Sequence, residues 1–453
     1  MQNGLILLVS YCFYGWWSWK FLGLLVLSTL LDYCYGFGVA AHNKRKAKLF
    51  LWLSILNNLG ILFIFKYYNF FIEQFQICCT LIGVNIDPLV LNIIIPIGIS
   101  FYTFHGMSYV FDIYRGVQKP VKSIIDYGVF VSFFPLLVAG PIERANHLLP
   151  QVQKERKFDY TQARDGCRLI LWGMFKKVVI ADSLAVIVNN IFENYEHQDA
   201  MVLMLGAVAF SFQIYGDFSG YSDIALGTAK LMGFELLSNF KFPYFSRDIA
   251  EFWRRWHISL SSWFRDYLYI PIGGSQNGKA KAILNIWIVF LVSGFWHGAS
   301  WNFIVWGCIH AVGFIPLFII GSNRKHVAEI VGFNKKVPGI REVWQMLATF
   351  TFVTVAWIFF RAKSLQAAMD YITRIVKNTA ENPGQFLHFP AKGNLAFVFI
   401  APLICIDWWL RNNERQLRMP DNIIVRYLLY LIFIIVTYLF LGETATSFIY
   451  FQF

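Results

Sequence analysis

The chain has 453 residues, of which 57% are hydrophobic, 19% aromatic and only 15% charged. A water-soluble domain carries about 25% charged residues, so this composition excludes an ordinary soluble enzyme, and it excludes a disordered or collagen-like chain as well. The formal charge of +12 reads as cytoplasmic loops facing anionic headgroups rather than as a nucleic-acid surface.

A hydrocarbon core of about 30 Å takes about 20 apolar residues per helical crossing, and roughly eleven runs along the chain approach that length. Residues 2–17 form a short first run without the basic leader or small-residue cleavage site of a signal peptide. Trp16, Trp17 and Trp19 close it as an interfacial belt. Runs 21–40 and 49–66 flank the basic stretch 44–48, which the positive-inside rule places, together with the N-terminus, on the cytoplasmic side. Residues 88–104 are apolar but interrupted by Pro96 and Gly98, which predicts a re-entrant or kinked piece buried in protein. Further runs occupy 123–140, 167–192, 201–216, 282–297, 302–320, 344–360, 395–410 and 423–442. The expected architecture is all-α: a polytopic membrane protein with re-entrant and interfacial helices, organised as one membrane domain over 1–453. The seven cysteines form no CxxC pair, so neither a disulfide framework nor a zinc ribbon is indicated.

Three stretches carry polar groups inside this apolar frame. Pro135, Gly140 and Pro141 break the 123–140 run just before Glu143-Arg144, which reads as a local ion pair. Asp217 and Asp223 lie among Gly216, Gly220 and Gly227, which permit close approach or a broken helix; these carboxylates could relay protons, bind substrate hydroxyls or serve structure. Between 240 and 274 charge and aromatics mix. Ile249, Phe252, Trp253, Trp256, Leu260, Trp263, Phe264 and Tyr267 recur at helical spacing, opposite Asp248, Glu251, Arg255, Ser262 and Asp266, which predicts one amphipathic helix in the interface. Arg247, Arg254, His257, Ser261 and Arg265 fall in one quadrant of that helix. The stripe suits either phospholipid headgroups or the phosphates of an anionic cofactor, and Lys279 and Lys281 add charge nearby.

Of the nine histidines, His42, His197, His326 and His388 sit in polar context and are expected in solvent. His105, His297 and His310 lie in apolar runs, where an ionisable group is a functional candidate. His297 has the most specific setting, with Trp296, Trp301 and Trp306 around it and Gly294 and Gly298 admitting a second backbone. A desolvated neutral imidazole there can act as a general base, or it can simply bond a backbone carbonyl in helix packing. His310 reads as packing. His297, Cys308 and His310 match no zinc-ligand spacing, and no metal is expected.

The blocks YCFYGWW (11–17), FFPLLVAGPIER (133–144), QIYGDFSGYSDIALGTAKLMGF (213–234), FPYFSRDIAEFWRRWHISLSSWFRDYLYIPIGG (242–274), GFWHGASWNFIVWG (294–307) and FIYFQF (448–453) resemble the membrane-bound O-acyltransferases, in particular their bacterial alginate O-acetyltransferase-like branch. The resemblance implies a ring of membrane helices around a thinned centre, with a tunnel reached by an acyl donor from the cytosol and by an acceptor from the other face. It carries the family's nearly invariant histidine onto His297 and its supporting histidine onto His257.

The resemblance further implies an enzyme of the bacterial inner membrane, moving an acetyl group from acetyl-CoA to hydroxyls of an exported polysaccharide, directly or through an extracytoplasmic partner acetyltransferase. Arg254, Arg265, Arg247 and Ser261 would bind the donor, with Asp217, Asp223 and Asn302 toward the substrate. Acetyl-CoA is a substrate in this reading, no tightly bound cofactor is expected, and the other partners are membrane lipids. The competing readings are a D-alanyl or lipid O-acyltransferase of the same fold and, in a different class, a proton-coupled transporter using Asp217, Asp223 and His297.

Overall fold

The computed structural model describes residues 1–327, 330–332, 337–381, 395–442 and 448–449, and among them there is no strand. The helices group into two units. The first, Met1–Asp159 with Met232–Leu237, contains α1 (Gln2–Trp17), α2 (Trp19–Val39), α3 (Lys44–Leu62), α4 (Tyr68–Leu81), α5 (Ile99–Tyr114), α6 (Ile124–Ser132), α7 (Phe134–Leu137) and α8 (Ala145–Gln153). Asn43 caps α3 by accepting from the Arg45 and Lys46 amides, which satisfies donors that the first turn cannot pair.

In this unit the buried Asp32 of α2 accepts hydrogen bonds from Ser54 (2.8 Å) and Asn58 (2.9 and 3.0 Å) of α3. Gly106 of α5 lets that carboxylate come against the helix backbone, since a methyl group there would overlap it.

The second unit, Tyr160–Leu231 with Ser238–Phe453, contains α9 (Tyr160–Met174), α10 (Ser183–Glu193), α11 (Ala200–Leu231), α12 (Ile249–Arg255), α13 (Ile258–Phe264), α14 (Lys279–His297), α15 (Trp301–Ile319), α16 (Ile340–Arg361), α17 (Leu365–Glu381), α18 (Leu395–Leu410) and α19 (Ile423–Phe440). Of the two readings for Gly216, Gly220 and Gly227, close approach or a broken helix, the break is absent: α11 runs unbroken for 32 residues. These glycines serve close approach instead, and a methyl group on Gly220 would come within 2.8 Å of the Gly173 carbonyl of α9.

Among the described residues seven helical segments are long and apolar enough to cross a membrane: Trp19–Val39, Lys44–Leu81, Ala200–Leu231, Lys279–His297, Trp301–Ile319, Ile340–Arg361 and Ile423–Phe440. The protein is therefore a multi-pass membrane protein, with fewer such segments than the eleven apolar runs suggested. The differences have local causes. Run 123–140 divides into α6 and α7 at Phe133, with Pro135 in the first turn of α7. Run 167–192 passes through a π-helical stretch, Phe175–Asp182, that carries Lys176, Lys177 and Asp182. α1 and α18 are shorter, at 16 residues each. In run 88–104, Gly98 adopts φ +73° and helix begins only at Ile99. His388 and all but residues 448–449 of the closing FIYFQF block lie outside the described residues.

Candidate active site around His297

The segment predicted as one amphipathic helix is two. α12 starts where the Asp248 side chain accepts from the Glu251 amide at 2.7 Å, and it ends at Arg255. Trp256 is extended and His257 sits in the left-handed region, φ 43° and ψ 53°, before α13 begins.

Strand-like pairing to residues 239–241 holds the break: the Lys241 amide donates to the Arg255 carbonyl and the Ile258 amide to the Asn239 carbonyl, both at 2.9 Å. The Ser259 hydroxyl donates to the Asn239 side chain. Backbone groups freed by the break are thus satisfied by this distant segment, which buried backbone requires. A residue other than glycine at positive φ is uncommon, and here it aims a histidine.

The break also dissolves the predicted cationic stripe. Arg247 precedes the helix and is buried against Glu251 (Nε to Oε2, 3.1 Å) and Glu342 (3.3 Å). Arg255 closes on Glu251 from the other side at 2.8 Å. The face expected in water therefore holds a buried ion triad, and Glu251 is fully enclosed. Burial would raise the Glu251 carboxyl, but hydrogen bonds from Arg247 and the charge of Arg255 outweigh it and hold the group below its ordinary range.

Arg265 is exposed and paired with Asp266 at 2.7 Å. The Ser261 hydroxyl reaches back to the Trp256 carbonyl at 3.4 Å. Arg254 differs from these. One terminal nitrogen donates to the Asn323 carbonyl at 2.8 Å, while Nε and Nη2 are buried without a hydrogen-bond partner among the described residues.

His257 and His297 are brought together on one indole. Trp296 lies 6.2 Å from the His257 ring and 5.0 Å from the His297 ring, centroid to centroid. His297 is the last residue of α14 and is 5% exposed. Trp306 of α15 (5.1 Å) and Phe360 of α16 (5.3 Å) complete its enclosure. Gly294 makes this possible, because a methyl group there would overlap the Phe303 carbonyl and push α15 away. His257 is 1% exposed and packs edge-on against Phe218 of α11 at 4.6 Å. Burial pushes its imidazole down to about 3, so the ring is neutral at physiological pH.

The remaining predicted residues are held in structure. Asp217 pairs with Lys177 (2.8 Å) and accepts from the Ile449 amide (2.7 Å), and Asp223 pairs with Lys176 (2.6 Å). Asn302 donates to the Ala362 carbonyl and accepts from Ser300, both at 2.6 Å, tying the start of α15 to the end of α16. His310 is enclosed by Trp253 and Trp306 at 4.9 and 4.8 Å, in keeping with a packing role. His326, expected in solvent, is instead largely covered and stands 3.8 Å from Asp248. In the first unit His105 accepts from the Glu143 amide at 3.0 Å, and Glu143 engages His147 at 2.7 Å.

Fold and site together define a multi-pass membrane protein with a buried histidine at the end of one span and a second on a kinked, non-spanning segment. The model of the membrane-bound O-acyltransferase family, MBOAT, matches residues 6–327, and the chain belongs to that family. It is therefore a membrane acyltransferase.

Among similar proteins, the probable alginate O-acetylase AlgI of Pseudomonas aeruginosa is 39% identical over 372 residues, covering 81% of this chain and 68% of that protein. The peptidoglycan O-acetyltransferase of Helicobacter pylori is 30% identical over 493 residues, covering 99% and 91%. The teichoic acid D-alanyltransferase of Bacillus subtilis is 30% identical over 284 residues, covering 60% and 70%.

Proposed function

We propose that the enzyme transfers an acetyl group from acetyl-CoA, taken from the cytoplasmic side of a bacterial inner membrane, to hydroxyl groups of an exported polysaccharide, directly or through an extracytoplasmic acetyltransferase. The observation that carries this reading is the enclosed His297 at the carboxyl end of α14, within reach of the same indole as His257. The alginate and peptidoglycan O-acetyltransferases similar to the chain support the acetyl group and the polymer class.

In this mechanism the neutral His297 imidazole takes the proton of an acceptor hydroxyl as its oxygen attacks the thioester carbonyl. The new C–O bond forms, the C–S bond breaks, and the proton passes from the imidazolium to the departing sulfur. The carboxyl end of α14 carries partial negative charge, which favours the transient imidazolium. His257, neutral through burial, orients the reacting groups or stabilises developing charge. The two buried N–H groups of Arg254 that lack protein acceptors suit donor phosphate, and Arg265 contributes a screened outer charge.

The test is incubation of purified protein, and of His297→Ala, with labelled acetyl-CoA and polysaccharide. Loss of transfer in the variant at unchanged membrane abundance is expected; retained transfer would sink the assignment. Solute accumulation in proteoliposomes without thioester cleavage would favour a transporter instead.

A further inference from the structure

The second unit contains a cavity of about 350 Å³ that neither His297 nor His257 lines. Its walls are apolar, among them Phe212, Tyr244, Phe350 and Leu403. Among the described residues Asp407 of α18 is its one acidic group, and that residue is 5% exposed. Oδ2 accepts from the Tyr215 hydroxyl at 2.7 Å, whereas Oδ1 has no partner among the described residues. A smaller polar pocket shares Tyr215, Phe242 and Asp407 with the cavity and adds Lys176, Asp223 and Glu414. There Lys176 answers Asp223 at 2.6 Å and Lys241 answers Glu414 at 3.2 Å. Among the described residues Asp407 accepts only from the neutral Tyr215 hydroxyl and shares the more distant charge of Lys176 with Asp223, and a buried carboxylate oxygen that accepts no hydrogen bond is unfavourable. The pocket therefore calls for a ligand that donates hydrogen bonds and carries positive charge.

The cavity also has a direction. Its α16 residues, Val343, Met346, Leu347 and Phe350, fall within the first three turns of a helix that begins at Ile340. Its α18 residues, Leu403, Ile404 and Asp407, fall in the last two turns before Leu410. At about 1.5 Å per residue, Asp407 is nearer the helix end than Leu403 by about 6 Å. The acidic group thus lies toward the membrane boundary and the apolar part toward the bilayer interior. Leu347 and Ile404 are 50% and 40% exposed, so the mouth opens on the outer faces of two apolar helices, where acyl chains surround the protein.

We propose that this is a binding site for an aminophospholipid, with an acyl chain in the apolar cavity and the primary ammonium on Asp407. Its three N–H donors suit the free Oδ1. The site is separate from the transfer chemistry and holds whichever acyl group the enzyme moves. Its wall nevertheless bears on the active site, since Tyr215 and Tyr244 pack 6.3 and 6.1 Å from Trp256, the neighbour of His257.

Native mass spectrometry of the full-length protein in detergent tests this, using phosphatidylethanolamine, phosphatidylcholine and phosphatidylglycerol with identical acyl chains. A charge-assisted hydrogen bond predicts retention of phosphatidylethanolamine about tenfold above the other two. Phosphatidylcholine has the charge without the donors, and phosphatidylglycerol lacks the cation. Asp407→Asn is expected to abolish the preference while lipid retention persists, and Leu347→Trp, which fills the mouth, to reduce retention of all three. Equal retention by the unaltered protein, a preference surviving in Asp407→Asn, or undiminished retention in Leu347→Trp would each overturn the proposal.

Discussion

The imidazole of His297 meets the indole of Trp306 nearly at right angles, 85° between planes and 5.1 Å between centroids. Trp306 is itself fixed, stacked on Trp357 at 5.6 Å and edge-on to His310 at 4.8 Å. It therefore sets where the His297 ring stands between α14 and α15. In catalysis a misplacement of about 1 Å costs about a hundredfold in rate. Trp306→Leu should lower kcat by about tenfold to a hundredfold while the donor KM stays within about twofold. Trp306→Phe should lose less, because an aromatic ring still fills the site. Steady-state kinetics at matched membrane abundance would check both, and an equal loss in kcat and KM would argue against positioning.

His257 offers a way to separate backbone from ring. Left-handed geometry costs an ordinary residue about 1–2 kcal/mol, and glycine almost nothing. Relative to His257→Ala, His257→Gly should fold more stably, yet both should lose transfer if the ring itself acts. Recovery of activity in the glycine variant alone would assign His257 a purely structural part.

The same burial fixes a pH dependence of stability. In the folded chain His257 is held near 3, and in the unfolded chain it titrates near the ordinary value of about 6.5. Below about 6.5 the unfolded state binds the extra proton, so stability is fully present above that pH and falls toward 3 by up to about 1.4 kcal/mol per pH unit. Thermal melting in detergent should drop between pH 7 and 5, and His257→Gln should flatten part of that drop. An identical pH profile in the variant would remove His257 as its source.

How much of this was legible in the sequence depends on the physics behind each feature. Long apolar runs announce themselves, and the spans ending at His297 and beginning at Trp301 lie where periodicity and the Gly294 spacing put them. His257 was singled out on a continuous helix, but the break was hidden. Arg254, Arg255 and Trp256 are compatible with helix, and the interruption is imposed from residues 239–241 by long-range backbone hydrogen bonds. Helical projection failed for Glu251 for a related reason: charge signals solvent only on average, and here two arginines compensate a buried carboxylate. Asp217 and Asp223 looked chemically open because Lys176 and Lys177, their partners, lie about forty residues upstream on a π-helical stretch. Trp296 as the surface shared by both histidines had no local signal beyond its place beside His297.

Of the three arginines predicted to meet the donor, Arg247 is held by Glu251 and Glu342, and the other two are now distinguishable. Arg254 is partly buried, with two N–H groups lacking acceptors among the described residues, while Arg265 is exposed and already paired with Asp266. A partly buried guanidinium with two nitrogens lacking acceptors has more to gain from an anion than an exposed one screened by water and salt. Arg254→Gln should raise the KM for acetyl-CoA by about tenfold, and Arg265→Gln by no more than about twofold. Comparable effects from both, lost together at high salt, would instead indicate diffuse headgroup attraction.

Glu251 supplies the sharpest test of the kinked segment. Its carboxylate receives Arg247 at 3.1 Å and Arg255 at 2.8 Å, and all three side chains are buried. Removing one member of such a group leaves uncompensated charge in a poorly polarisable surrounding, which costs about 3–5 kcal/mol. Glu251→Gln strands two guanidinium charges, Arg255 fully and Arg247 in part because Glu342 remains at 3.3 Å, and should destabilise the protein by about that amount, visible as a large drop in melting temperature and in folded yield. Replacing Arg255 with Met in the same chain removes one of those stranded charges and should recover part of the loss. Additive losses in the double variant would mean that the two residues act independently, and the ion triad would then not be what holds the His257 kink in place.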